Sequence, residues 1–206
     1  MTRPGDAAYL SDQRADLLRF LPGAVRADGF GWLDESGMVD PSRPVELWIT
    51  CRMTHVAALG VLAAEAPAAG GPDVGTLLDL AQAGVDSLAH GALHDTVNGG
   101  WFAAVVDGVP RATAKQAYGH AFVVLAASSA AAAGVDGASD LLDEALEVSQ
   151  ERFWDEEAGL SVEEWDAAWT TLDQMVNEIS ERWAEGWADA RIRKMPSVAY
   201  TPTIMA

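Results

Sequence analysis

Apolar residues fall in long stretches separated by Gly-, Pro- and Asp-rich breaks, and the chain reads as helices joined by Gly-rich turns. A first helix is expected from Ala8 to Leu21, stopped by Pro22-Gly23. The stretch Asp28-Gly29-Phe30-Gly31-Trp32-Leu33-Asp34 is too glycine-rich for a helix and reads as a loop. Pro44 suits the first turn of a second helix reaching Glu65, because proline lacks the N–H that would be orphaned there. Gly71-Pro72-Asp73 opens a third helix through Leu93. Thr113 caps a fourth, from Ala114 to Gly134, and Asp136 to Arg152 gives a fifth. Between the third and fourth, Gly100 to Val109 reads as a short hairpin, with β-formers beside the turn signal Asp107-Gly108.

A weak internal repeat overlies these elements. Asp95, Gly99 and an aromatic strand follow the third helix, and Asp155, Gly159 and Leu160-Ser161-Val162 follow the fifth, offset by 60 residues. Each unit would be a helix, an acidic-Gly turn, a strand-like excursion and another helix. Such units bury their faces only by stacking. From Met175 the character changes, with Trp183, Trp187, Arg191, Arg193 and Lys194 crowded together. One amphipathic helix over 176–193 is expected there, then a disordered end.

Composition bounds the class. The chain has 206 residues, half of them hydrophobic, and a formal charge of −18. That is enough for one full core and too apolar for general disorder. The acidity disfavours nucleic acid and an anionic membrane, both of which are polyanions. A single cysteine, Cys51, forbids an internal disulfide and fits a cytoplasmic location. The N-terminal residues lack a signal-peptide run, and the apolar stretch from Ala121 to Val135 is too short to span a bilayer.

Four groupings have chemical potential. Trp48, Arg52 and His55 stand at i, i+4 and i+7 of the second helix, on one face. In a pocket, the guanidinium would hold a hydroxyl or a developing oxyanion, and the indole would pack on a sugar ring. The same residues also fit an interior role, with Trp48 in the core, Arg52 paired with Glu46 or another carboxylate, and His55 bonded internally. On the fourth helix, Tyr118 and Phe122 share a face while His120 sits elsewhere on the circumference. Tyr118 suits a ligand hydroxyl and His120 suits acid–base work, or the set is a packed aromatic pair beside a satisfied histidine. His90 and His94 have a chelating spacing but lack the Glu of a zinc HExxH motif, so no metal is expected. Glu163, Glu164 and Asp166 read as a solvated edge rather than a glycosidase pair.

Several segments together resemble the N-acylglucosamine 2-epimerase family. They are Gly29 to Asp34, Glu46 to His55, Asn98 to Phe102, Lys115 to Phe122, and Glu164-Trp165-Asp166. Within that family the chain looks most like bacterial isomerases of mannose or sulfoquinovose. The resemblance covers residues 8–174, in the family's order and spacing. It implies an all-α fold of stacked helical hairpins, a partial (α/α)6 barrel with short β-hairpin excursions. It also implies metal- and cofactor-independent isomerisation or 2-epimerisation through an enediol or enediolate. By resemblance Arg52 is the active-site arginine, and Trp48, Tyr118 and His120 stand at or beside substrate-contacting positions.

After Asp173 the family's pattern stops, and its acid–base histidines belong to later helices. The expected organisation is therefore a partial barrel over 1–174 and a divergent tail over 175–206. Three readings follow, one of them that the tail arose by gene truncation or rearrangement and the product has no function; the other two assign a role. One is a truncated sugar isomerase or epimerase, whose activity alone is in question. The other is a non-catalytic helical-repeat module that binds a sugar or a protein. An open half-barrel exposes apolar faces, so self-association or pairing with a complementary half is expected.

Overall fold

The computed structural model describes residues 3–63 and 71–170. Within them lie five α-helices: α1 (Ala7–Leu18), α2 (Leu47–Leu62), α3 (Val74–His90), α4 (Ala117–Ala132) and α5 (Ala138–Val148). Nine strands of two to four residues decorate their ends: β1 (Val25–Arg26), β2 (Gly29–Phe30), β3 (Val45–Glu46), β4 (Ala104–Val106), β5 (Val109–Ala112), β6 (Lys115–Gln116), β7 (Trp154–Asp155), β8 (Leu160–Ser161) and β9 (Glu164–Trp165). All pairings are antiparallel: β1 with β2, β3 with β4 and β4 with β5, β6 with β9, and β7 with β8. No described helix is long and apolar enough to cross a membrane.

The helices do not pack simply in chain order, because α4 lies mainly on α2 rather than on α3. α2 lies against α3 and α4, and α4 against α5. Small side chains suit this close packing: Ala57 and Ala58 of α2 and Ala126, Ala127 and Ala130 of α4 are all without solvent exposure. Leu77, Val85 and Leu88 of α3 close the core from outside. Asp73 caps α3 by accepting the Thr76 N–H at 2.7 Å.

The 60-residue repeat is real in the backbone. Asp95 Oδ1 accepts the N–H groups of Val97 and Asn98, and Asp155 Oδ1 accepts those of Glu157 and Ala158. Gly99 donates to the Asp95 carbonyl and Gly159 to that of Asp155, both glycines with φ above +60°. Phe102 then bonds back to Leu93, and Val162 to Phe153. A related turn precedes α2, where Asp34 accepts from Ser36 and Met38. Three helix-plus-turn units are thus present among the described residues.

Element boundaries differ from expectation where strands intervene. The second helix begins at Leu47 rather than Pro44, because Val45 and Glu46 are extended and pair with Val105 and Ala104. The fourth begins at Ala117 rather than Ala114, because Lys115 and Gln116 pair with Trp165 and Glu164. The first ends at Leu18, and Pro22 sits in a 3-10 turn over Leu21–Ala24. The glycine-rich stretch is not all loop, since Gly29 and Phe30 form β2. The hairpin runs from Ala104 to Ala112 around Asp107 and Gly108, both at positive φ, while Trp101 pairs instead with His94. The fifth helix is α-helical only to Val148 and passes into a wider π turn over Ser149–Phe153. The end of the second helix at Glu65, the helix over 176–193, Trp183, Trp187 and the 174/175 boundary lie outside the described residues.

Candidate functional site

α2 and α4 each start from a β-strand, and each is anchored by a neighbouring loop. The Leu47 N–H donates to Ala103 O at 3.0 Å, and the Ala117 N–H to Glu163 O at 2.9 Å. A small cleft of about 20 Å³ opens between the two starts. Leu47, Trp48, Gln116, Tyr118 and Gly119 line it, with Trp101 and Ala103 as its wall. Helix N-termini carry partial positive charge, so this is the end of the pair that suits electron-rich groups.

The two helices present equivalent positions. Trp48 and Arg52 of α2 correspond to Tyr118 and Phe122 of α4, counted from their first residues Leu47 and Ala117. These side chains form one continuous ladder. The Arg52 guanidinium lies 5.0 Å from the Trp48 ring and 4.8 Å from the Phe122 ring. Phe122 meets Tyr118 edge-on at 4.9 Å, and Trp48 meets Trp32 at 5.4 Å. Arg43 lies over the Trp32 ring at 4.2 Å. Arg52 is exposed, and no carboxylate forms an ion pair with it among the described residues, so the expected interior pairing with Glu46 is not what holds it. Its five N–H donors are oriented by two aromatic faces and remain available. Tyr118 is 56% exposed, so its hydroxyl is accessible as well.

His120 stands elsewhere. It is 1% exposed, with both ring nitrogens engaged by main chain: Nδ1–H donates to Gln116 O at 2.8 Å, and Nε2 accepts the Trp101 N–H at 3.2 Å. Burial pushes its pKa down to about 4, helped by the charge of Lys115. The ring is therefore neutral near pH 7 and sits behind the cleft wall, where it fixes Trp101. Below it lies a buried ion pair, Lys115 Nζ to Asp95 Oδ2 at 2.6 Å, with Lys115 also bonded to Gly99 O. Phe102 and Trp169 flank the ammonium at 4.9 and 5.0 Å.

The other groupings disperse. His55 shares the Trp48–Arg52 face, and its Nδ1 meets Ser129 Oγ of α4 at 2.7 Å. His94 is paired with Glu144 at 2.7 Å and stacks on Trp101, while His90 ends α3. Among the described residues, no three His, Cys, Asp or Glu side chains gather as a metal site would require. Glu164 accepts from Gln116 Nε2 in an exposed bond between β6 and β9, and Asp166 accepts the Ala168 N–H. Cys51 is fully buried, which raises its thiol pKa and leaves it unreactive.

Sequence reasoning passed over Asp95–Lys115, Trp32 and Arg43. It noted Phe122 only as a partner of Tyr118. The offset of 70 between α2 and α4, aligning Trp48 with Tyr118 and Arg52 with Phe122, was the available signal.

Comparison with known proteins follows the same outline. Residues 29–178 match the family model of N-acylglucosamine 2-epimerase (GlcNAc 2-epimerase). The chain is 44% identical over 169 residues to D-mannose isomerase of Thermobifida fusca, covering 81% of this chain and 39% of that protein. It is 38% identical over 167 residues to D-mannose isomerase of Pseudomonas cannabina pv. alisalensis, covering 81% and 38%. A crystal structure of D-mannose isomerase superposes with a TM-score of 0.71 at 22% identity, over 83% of this chain and 44% of the other. Cellobiose 2-epimerase from Spirochaeta thermophila superposes at 0.64 and 27% identity, over 80% and 42%. The chain thus spans about two-fifths of the length of the curated relatives it matches.

Proposed function

The chain belongs to the N-acylglucosamine 2-epimerase family, and from that premise we propose that it forms the sugar-holding half of an aldose–ketose isomerase or 2-epimerase for a hexose. The observation that carries the reading is the exposed Arg52 guanidinium of α2 held between the Trp48 ring and the Phe122 ring of α4, without an ion-pair partner among the described residues. The reaction it suits removes the proton alpha to an open-chain carbonyl, giving an enediolate. Returning the proton to the neighbouring carbon yields the ketose, and returning it to the same carbon on the opposite face yields the epimer. Arg52 would hold the two oxygens and offset the charge that develops on them. Trp48 would pack on the apolar face of the sugar, and Tyr118 would bond a hydroxyl. His120 holds the wall rather than the substrate. No metal or cofactor takes part in this scheme.

The helix-and-turn units are read as a partial (α/α)6 barrel. The remaining surface would be completed by a complementary half or a second copy, in the cytoplasm. A second reading is a sugar-binding module without turnover. It is favoured by the engagement of His120 with main chain and of His94 with Glu144, which leaves few histidines to act as base.

The test incubates the purified chain with D-mannose, D-fructose or sulfoquinovose in D2O. Deuterium entering the carbon beside the carbonyl, and lost in Arg52→Ala, supports the isomerase. Saturable sugar binding without exchange supports the module. Neither exchange nor binding ends both readings for this chain.

A further inference from the structure

Trp48, Arg52 and His55 occupy one face of α2. Their chemistry is lopsided. The indole and the guanidinium can only donate hydrogen bonds, whereas a sugar hydroxyl both donates and accepts. These two offer no acceptor for a bound hydroxyl proton, which leaves only the single Tyr118 hydroxyl of α4 among the contacts already named, and an unpaired buried donor costs affinity. His55 is the third member of the stripe, one turn below Arg52, and its state is constrained by the neighbouring helix. Ser129 Oγ donates its single proton to Leu125 O at 2.9 Å. It must therefore accept in its 2.7 Å contact with His55 Nδ1, which puts the ring proton on Nδ1. Nε2 is left with a free lone pair, and among the described residues nothing bonds to it. Partial burial lowers the pKa of the ring, which keeps it neutral near pH 7.

We propose that His55 Nε2 is the hydroxyl-proton acceptor of the sugar site, a specificity-determining contact that complements the donors of Arg52. Ser129 is its positioning residue: the contact across the α2–α4 seam sets the tautomer and the ring orientation. The proposal rests on the sugar-site reading above and extends it to a residue nothing yet assigns.

Two isosteres separate this role from a merely structural one. In His55→Asn the amide nitrogen reproduces Nδ1 and keeps the bond to Ser129, but nothing reaches the Nε2 position. In His55→Gln the amide oxygen reaches the Nε2 position, but the bond to Ser129 is lost. D-Mannose affinity of the full chain is read by tryptophan fluorescence, with Arg52→Ala as the reference for loss of the site. We expect Asn to weaken binding about fivefold to tenfold and Gln to stay within about twofold of wild type. The reverse order, or no change in either variant, overturns the proposal while leaving the sugar site standing. No binding by wild type removes the sugar-site reading and this contact with it. A tautomer measurement by long-range 1H–15N NMR on the unliganded protein supports the assignment if the His55 proton lies on Nδ1, and overturns it if the proton lies on Nε2.

Discussion

Lys115 donates to Asp95 at 2.6 Å with both side chains almost wholly withdrawn from solvent, at 0% and 3% exposure. The lysine opens β6, immediately before α4, and the aspartate anchors the turn that leads to Trp101. The pair therefore links the two sides of the cleft. Breaking a buried pair from one side strands a charge, at a cost of about 3–5 kcal/mol. Lys115→Met should destabilise the chain by an amount of that order. Lys115→Met with Asp95→Leu should cost clearly less than the two single changes added together. Chemical denaturation of the four proteins measures the coupling, and simple additivity would refute it.

Acid should act on the same cluster in two separate windows. Burial depresses His120 to about 4, below its ordinary 6.5. The unfolded chain therefore takes up a proton that the folded one refuses. Stability should fall as pH drops from about 6.5 towards about 4, by about 3 kcal/mol from this residue. For Asp95, burial opposes ionisation, but bonds from Lys115, Asn98 and Val97 outweigh it and hold the carboxyl at about 2. Its contribution is intact above about 4 and is lost only as pH falls towards 2. His120→Gln should make the fall in denaturation midpoint between pH 6.5 and 4 shallower, leaving the part that the partly buried His55 contributes, and should leave the lower window unchanged.

Arg52 depends on planarity as well as charge. A guanidinium stacks on Trp48 and Phe122 and still offers several N–H groups, whereas an ammonium is a point charge on a flexible stem. Arg52→Lys should therefore weaken sugar binding nearly as much as Arg52→Ala, by about tenfold or more. Phe122→Leu removes one stacking face and should give an intermediate loss. Titration with D-mannose ranks the three; a lysine variant equal to wild type would show that charge alone suffices.

The parts of the fold that were legible in the sequence are those set locally. The Asp95–Gly99 and Asp155–Gly159 turns close within five residues, so their shared pattern announced a shared backbone. Helix existence was legible from the apolar stretches, but helix starts were not. Glu46 and Gln116 are extended because Ala104 and Glu164, 58 and 48 residues away, pair with them. That Trp48 and Arg52 share a face of α2, and Tyr118 and Phe122 a face of α4, was legible because helical spacing sets it locally. Lys115 was not, since a lysine is normally exposed and nothing near it in sequence marks Asp95 as its partner. The same holds for Trp32 and Arg43, which reach the ladder from a loop.

Adjacent glycines at the cleft should respond differently to the same added methyl. Gly99 and Gly100 have φ of +77° and +71°, so both suffer backbone strain on becoming alanine, about 1 kcal/mol in each case. Around Gly99 a Cβ meets nothing within 4 Å. At Gly100 it would come to 2.7 Å from Trp169 Cζ2 and 2.8 Å from His120 Nε2. Neither ring can yield freely: His120 is held at both nitrogens, and Trp169 Nε1 donates to Asn98 O at 2.7 Å. Gly100→Ala should therefore cost about 1–3 kcal/mol more than Gly99→Ala, the usual penalty of overpacking. It should also weaken sugar binding, because the displaced His120 carries Trp101 and the cleft wall with it. Thermal denaturation of the two variants gives the first comparison and mannose titration the second. Equal melting temperatures would mean that the Trp169–His120 contact is not the packed wall described here.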